Sequence, residues 1–138
     1  MKNIFIDTNV ILDFIAIRQP FAHAAARLFN YADKGKITLF VCSLSYGNIY
    51  YILKKSYTHK EVIRILRELE AMTETLDVSK QVISMSLSSN FHDFEDAIQY
   101  NTAITNKKIE VIVTRNEKDY KNSELPVLSP EEVLSIIA

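Results

Sequence analysis

Short apolar runs alternate with helical stretches along the whole chain, and this alternation limits the fold more than any other feature. Ile4-Phe5-Ile6, Ile37-Thr38-Leu39-Phe40-Val41 and Glu110-Val111-Ile112-Val113-Thr114 are rich in β-branched and aromatic residues, as strands covered on both faces are. Thr75-Leu76-Asp77-Val78 and Pro126-Val127-Leu128 read as further short strands, the latter at an edge. Helical spacing runs from Asn9 to about Ile17 and from Phe21 to about Asp33, where Gly35 suits a C-terminal cap. It returns from Ser43 to about Lys55 and again, behind a Thr58-His59-Lys60-Glu61 capping box, to about Ala71. Val78 to about Ser88 and Asp93 to about Asn106 follow, and Ser129-Pro130-Glu131-Glu132 opens a last helix. Such an order predicts an α/β fold, a three-layer α/β/α sandwich around a central, mostly parallel sheet.

Length and composition narrow the reading. With 138 residues, 48% hydrophobic and mean hydropathy +0.00, the chain suits one domain spanning 1–138. The 16 Lys and Arg against 17 Asp and Glu leave a net charge of −1, so contact with a polyanion has to use a local patch or a bound cation. Cys42 is the one cysteine, which excludes an intramolecular disulfide and a cysteine-based zinc site. No apolar segment reaches membrane-spanning length and the first residues do not form a signal peptide, so a reducing cytoplasm is expected and a membrane is not.

Three aspartates stand where structure alone does not require them. Asp7 directly follows the first strand, and ligands of open parallel sheets bind outside the carboxyl ends of strands. Asp96 falls in the first turn of the helix begun near Asp93, and Asp119 lies in the loop leaving Glu110–Thr114. If those two strands are neighbours, Asp7 and Asp119 open onto one edge, where converging carboxylates repel unless a cation or protons intervene. Plainer roles stay open: Asp7 and Asp93 suit helix N-caps, Asp96 complements a helix N-terminus, and Asp119 suits a solvated loop.

Three blocks bear on that choice. Ile6-Asp7-Thr8-Asn9-Val10-Ile11-Leu12-Asp13, Asp93-Phe94-Glu95-Asp96-Ala97-Ile98-Gln99 and Val113-Thr114-Arg115-Asn116-Glu117-Lys118-Asp119-Tyr120 resemble, in order, the signature blocks of the PIN-domain (PilT N-terminus) nucleases, including the VapC-like toxins. The resemblance runs from Lys2 to the helix after Pro130. It implies an endoribonuclease dependent on Mg²⁺ or Mn²⁺, assembly as a homodimer and, for the toxin members, an antitoxin partner. It further implies Asp7, Asp96 and Asp119 as catalytic and metal-holding residues, with Thr8, Thr114 and Asn116 in support.

The chain departs from the family at the second acid, where Asn48 stands in place of the usual Glu. An amide accepts a hydrogen bond or offers its carbonyl to a metal but does not act as a general base. Asp93, three residues before Asp96 on the same helical face, is the candidate substitute, whereas Glu95 is expected to point about 100° away. One negative charge fewer predicts one tightly held ion and at most one weak one. Arg115 and Lys55 are the candidate substrate-binding cations, with Lys118 and Lys121 near Asp119. Tyr46, Ile49, Tyr50 and Leu53 make a helical stripe suited to packing, which assigns Tyr46, Tyr50 and Tyr51 to the core or a dimer interface rather than to base stacking. His23, His59 and His92 share no motif.

The alternative function is a weakly active or non-catalytic PIN-like domain that binds RNA or protein, favoured by Asn48 and the net charge. A haloacid-dehalogenase-type phosphatase wants a second acid two residues after the first, where Asn9 stands. A receiver domain wants an acidic pair near the first strand, where Asp7 is alone.

Overall fold

Ile4, Phe5 and Ile6 have no exposed surface, which requires cover on both faces of their strand and a neighbour along each edge. The computed structural model, which describes residues 1–137, supplies both. Strand β1 (Asn3–Ile6) is the centre of a five-stranded sheet, flanked by β2 (Thr38–Cys42) and β4 (Val111–Val113). β3 (Glu74–Leu76) lies beyond β2, and β5 (Val127–Leu128) beyond β4. The order is β3-β2-β1-β4-β5 and every pairing is parallel, with Phe5 beside Phe40 on one side and Ile112 on the other. The sheet is thus wholly, not mostly, parallel.

Parallel neighbours need crossovers, and the helices supply them. Because side chains alternate along a strand, Ile4 and Ile6 join Leu39, Val41, Val111 and Val113 on one face. There they meet α1 (Thr8–Ile15), α2 (Ala22–Asp33), α3 (Ser43–Leu53), α4 (His59–Met72) and α7 (Pro130–Ile137). Phe5, Phe40, Cys42 and Ile112 face the other way, onto α5 (Lys80–Leu87), α6 (Phe94–Thr105) and Tyr120. Full burial of each such aliphatic or aromatic side chain contributes about 1.5–3 kcal/mol. The three layers follow.

Helix ends are set by local chemistry and shift several expected limits. α1 stops at Ile15 because Ile17 takes φ 52°, and the Arg18 N–H then closes onto the Asp13 carbonyl at 3.1 Å. This is the wrap-back that usually carries glycine, as at Gly35 (φ 74°) after α2, where the Lys36 N–H reaches the Tyr31 carbonyl at 3.0 Å. α3 stops at Leu53, whose carbonyl accepts from the Ser56 and Tyr57 N–H groups, so Lys55 lies outside the helix. α5 begins at Lys80 rather than Val78, because the Ser79 hydroxyl caps it by accepting from Val82 N–H at 3.1 Å. The Thr58–Glu61 capping box is present with both of its bonds.

The strand order has one functional consequence. After β1 the chain moves to β2 and β3 on one side and returns to β4 on the other, so the carboxyl ends of β1 and β4 form the point where crossovers diverge and a crevice opens.

Candidate active site

Asp7 is the first residue past β1, and its backbone N–H still pairs with the Val113 carbonyl of β4 at 3.1 Å. The expected N-cap role is real, since one carboxylate oxygen accepts from Val10 N–H at 3.1 Å. The other accepts from the hydroxyl of Thr114, the first residue past β4. Thr114 in turn accepts from Asn116 N–H at 3.1 Å, which ties the following loop to the same point. Asp7 is 4% exposed, and burial pushes its carboxyl above the ordinary carboxylate range. The Thr114 hydroxyl, the helix amides and the Arg115 charge act the other way. Both oxygens are therefore fixed in direction.

Behind Asp7, Thr8 acts as a brace. Its hydroxyl lies 2.7 Å from the Ser45 hydroxyl and 3.3 Å from the Gln99 side-chain oxygen, which also accepts from Thr8 N–H at 3.0 Å. These bonds tie α1 to α3 and α6. Ser45 stands in no sequence motif, and Gln99, the last residue of the second signature block, was given no role there.

On α6, Asp93 is the N-cap, accepting from Asp96 N–H at 3.0 Å, and Asp96 is half-buried one turn in. The Asp96 carboxyl is pushed up to about 7 by burial first, then by Asp93, Asp119, Asp7 and Glu95. Asp119 stands not in an open loop but in a short 3₁₀ turn, Glu117–Tyr120, where its N–H meets the Asn116 carbonyl at 3.0 Å. Below it Tyr120 is buried with an unpartnered hydroxyl, and burial together with Asp7, Asp96, Asp119 and Asp93 raises its phenol so that it stays protonated.

These residues meet. One cavity of about 560 Å³ is lined by Asp7, Asp93, Asp96 and Asp119, with Thr8, Asn48, Gln99 and Asn116. No Lys, Arg or His is among the described residues that line it. Glu95 lines it too, which corrects the expectation that this side chain turns away from Asp96. The first turn of α6 forms the rim, and from a rim a long side chain reaches inward even when its helical angle is off the favoured face. Burial and Asp93 raise the Glu95 carboxyl, and the neighbouring Asn48 amide lowers it. Asn48 is nonetheless short of partners: its Nδ2 is buried and makes no hydrogen bond of ordinary geometry.

The donor set fits a hard divalent cation. Five carboxylates share a cavity that no Lys, Arg or His lines among the described residues, and one of them is pushed up to about 7 by burial first and by its acidic neighbours second. Among the described residues, no three His, Cys, Asp or Glu side chains stand close enough to hold a metal ion as they are. Mg²⁺ suits such a loose ring, because it gives up its waters reluctantly and is bound through few direct carboxylate bonds.

The two candidate substrate cations are placed elsewhere. Arg115 is spent on Asp13, which is 1% exposed, and its guanidinium lies 3.9 Å from the centre of the Phe21 ring. Lys55 is exposed past the end of α3 and does not line the cavity. Of the tyrosines, Tyr46 pairs with Thr75 at 2.8 Å and Tyr50 with His59 at 2.8 Å, in keeping with packing. Tyr51 departs from that group: it is 75% exposed and lines the acid cavity.

Comparison with known proteins places this arrangement among relatives. Residues 3–118 match the family described as PIN domain. Ribonuclease VapC1 of Aquifex aeolicus (strain VF5) is 25% identical over 136 residues, covering 95% of this chain and 92% of that protein. The DNA-bound VapBC structure from Salmonella typhimurium superposes with a TM-score of 0.67 at 15% identity, over 94% of this chain and 98% of the other. VapC20 of Mycobacterium tuberculosis, a sarcin–ricin-loop-cleaving toxin, superposes with a TM-score of 0.61 at 16% identity, over 79% of this chain and 86% of that one.

Proposed function

The chain belongs to the PIN domain family, and from that premise we propose that it is a divalent-metal-dependent endoribonuclease, the toxin component of a toxin–antitoxin pair. One observation carries the reading: carboxylates from three separate parts of the chain line one cavity, with no Lys, Arg or His among the described residues lining it, where the crevice between β1 and β4 opens. A purely structural role does not account for such crowding, because each added carboxylate makes its neighbours harder to ionise. Ribonuclease VapC1 and the toxin–antitoxin complexes that share the fold support the same assignment.

Asp7, Asp96 and Asp119 would hold Mg²⁺ or Mn²⁺, with Asp93 and Glu95 adding charge around them. When bound, such an ion supplies Lewis acidity toward a phosphodiester and the water that attacks it. The chain's own part is orientation. Val10 N–H and Thr114 aim the Asp7 carboxylate, Asn116 braces Thr114, and Thr8 with Gln99 fixes α6 against α1. Asp93, the candidate substitute for the missing acid, and Glu95 both bring charge from α6 that α3 lacks at Asn48. The chain acts as one domain, 1–138, in the cytoplasm, as a homodimer controlled by an antitoxin. Among the described residues no helix is long and apolar enough to cross a membrane.

Asn48 in place of the family's second acid, with the net charge of −1, favours a second reading, a weakly active or non-catalytic domain that binds RNA or protein. Incubation of RNA with the purified chain and Mn²⁺ separates the two. Cleavage that is lost on chelation and in Asp7→Asn supports the nuclease; RNA that stays intact, or equal cleavage by Asp7→Asn, overturns it.

A further inference from the structure

The Tyr51 ring, which lines the acid cavity, packs edge-on against Tyr50, with ring centres 5.6 Å apart. Tyr50 in turn meets His59 at the start of α4, with ring centres 5.7 Å apart and its hydroxyl 2.8 Å from His59 Nδ1. His59 belongs to the wall of a separate open groove of about 590 Å³, together with Lys60, Glu61, Ile63, Arg64 and Arg67. Three rings therefore bridge the acid cavity to this groove, whose charge is opposite. Lys60, Arg64 and Arg67 follow at four- and three-residue spacing and so share one face of α4. All three are exposed, and Lys60 and Arg67 make no ion pair among the described residues. Arg64 pairs with Glu68 at 3.1 Å, but both side chains are more than 60% exposed, and such a pair yields easily to another anion. The one acid in the wall, Glu61, is occupied by the capping box, where its Oε1 accepts from Thr58 N–H at 3.0 Å. Lys60 also stands in the first turn of α4, where the helix dipole disfavours a cation. Nothing within the chain requires that placement.

From this juxtaposition we infer that the α4 groove is a docking surface outside the active site: Lys60, Arg64 and Arg67 hold the phosphate backbone of an RNA segment that flanks the one entering the acid cavity. The inference rests on the nuclease reading and adds a second hold on the substrate to it. In a chain of net charge −1, three cations gathered on one face without internal neutralisation call for an anion from outside. The two guanidiniums suit phosphate, whose oxygens they bind in pairs. Position favours RNA over an acidic protein, because the ring bridge leads from the groove to a cavity that, on the nuclease reading, receives a phosphodiester. Contacts to phosphate carry no sequence information, so the groove holds RNA of any sequence.

Chelator isolates the groove, because without a divalent cation the acid cavity repels phosphate while α4 keeps its charge. A labelled RNA of mixed sequence is titrated with the purified chain in chelator at several salt concentrations. The triple change Lys60→Gln, Arg64→Gln, Arg67→Gln lowers the slope of log affinity against log salt by about 2, the loss of three phosphate contacts to a single strand. Lys107→Gln with Lys108→Gln removes exposed cations that precede β4, at the opposite edge of the sheet from Asp7, and leaves the slope unchanged. Scrambling the RNA sequence leaves binding by the wild type unchanged as well. A wild-type slope in the triple variant, or an equal drop in the Lys107, Lys108 control, overturns the groove. Displacement of the RNA by polyglutamate as readily as by unlabelled RNA also overturns it and assigns the groove to an acidic protein. The slope difference without cleavage by the wild type in Mn²⁺ overturns the nuclease and leaves the groove standing; cleavage without the slope difference does the reverse.

Discussion

Arg115 grips Asp13 with two of its nitrogens, Nε to Oδ2 at 2.7 Å and Nη2 to Oδ1 at 3.2 Å, across 102 residues of sequence. Arg18 takes Asp13 Oδ1 from the other side at 3.0 Å and also reaches the Asn9 carbonyl at 3.1 Å. The knot joins α1, the turn after it and the loop leaving β4, directly behind Thr114 and Asp7. A guanidinium committed in this way, and stacked on Phe21, has a positioning task rather than a phosphate to bind.

Arg115→Met is therefore expected to act on stability. It leaves the buried Asp13 with Arg18 alone, and a loss of about 2–3 kcal/mol follows, below the full cost of stripping a buried ion pair because one partner remains. Urea unfolding measures it. In a folded Arg115→Met chain the salt slope of RNA binding should match the wild type; a slope lower by one phosphate contact would return Arg115 to the substrate.

Thr114→Val tests how Asp7 is aimed. The swap keeps the shape of the side chain and removes the hydroxyl that donates to the carboxylate. Losing a donor to the charged form raises the Asp7 carboxyl further and frees it to turn. Mn²⁺ affinity should fall about 10-fold or more, the usual effect of removing a residue that orients a metal ligand. Calorimetric titration at fixed pH reads this directly, and unchanged affinity would show that Val10 N–H alone suffices.

Much of this was legible in the sequence because a strand covered on both faces leaves an unbroken apolar run, and Ile4-Phe5-Ile6 closed by Asp7 is such a run. Residues that follow buried strands fall at one edge of a parallel sheet, so Asp7 and Asp119 are expected on one edge once their strands are neighbours. What escaped depends on facts that are not periodic. The charge of Arg115 says nothing of an acid 102 residues away that consumes it. A helical-wheel angle for Glu95 ignores where along the helix the cavity rim cuts, and Tyr51 stands off the packing stripe that Ile49 and Leu53 bury on α3.

Burial of Asp96, with its acidic neighbours, sets a pH dependence in the metal-free chain. Its carboxyl titrates near 7 in the folded protein and near 3.8 in an unexposed-to-neighbours reference, so between those values the folded state binds more protons than the unfolded one. Stability from this group is complete below about pH 4 and is lost as pH rises toward 7. Thermal unfolding in chelator should show Asp96→Asn gaining on the wild type across that window. Saturating Mn²⁺ should remove the difference or reverse its sign, because binding favours the ionised carboxylate. Parallel pH curves for the two chains without metal would mean that neither burial nor its neighbours raise the Asp96 carboxyl.

The last test concerns which helix carries the fourth charge. Asn48 on α3 and Glu95 on α6 border the same cavity, and the Asn48 amide acts on the Glu95 carboxyl. If the cavity needs a given total of negative charge rather than an acid at one position, Glu95→Gln should lower Mn²⁺ affinity about 10-fold and cleavage with it. Asn48→Glu alone adds a carboxylate to a set that already holds Asp96 near 7, and without metal it should lower the melting temperature at pH 8. The double change Asn48→Glu, Glu95→Gln moves the charge from one helix to the other while keeping the sum. Recovery of Mn²⁺ affinity in the double variant would show that the two positions are interchangeable sources of one charge. Affinity that stays as low as in Glu95→Gln would instead assign Asn48 a task that only an amide performs, with its unpartnered Nδ2 as the atom concerned.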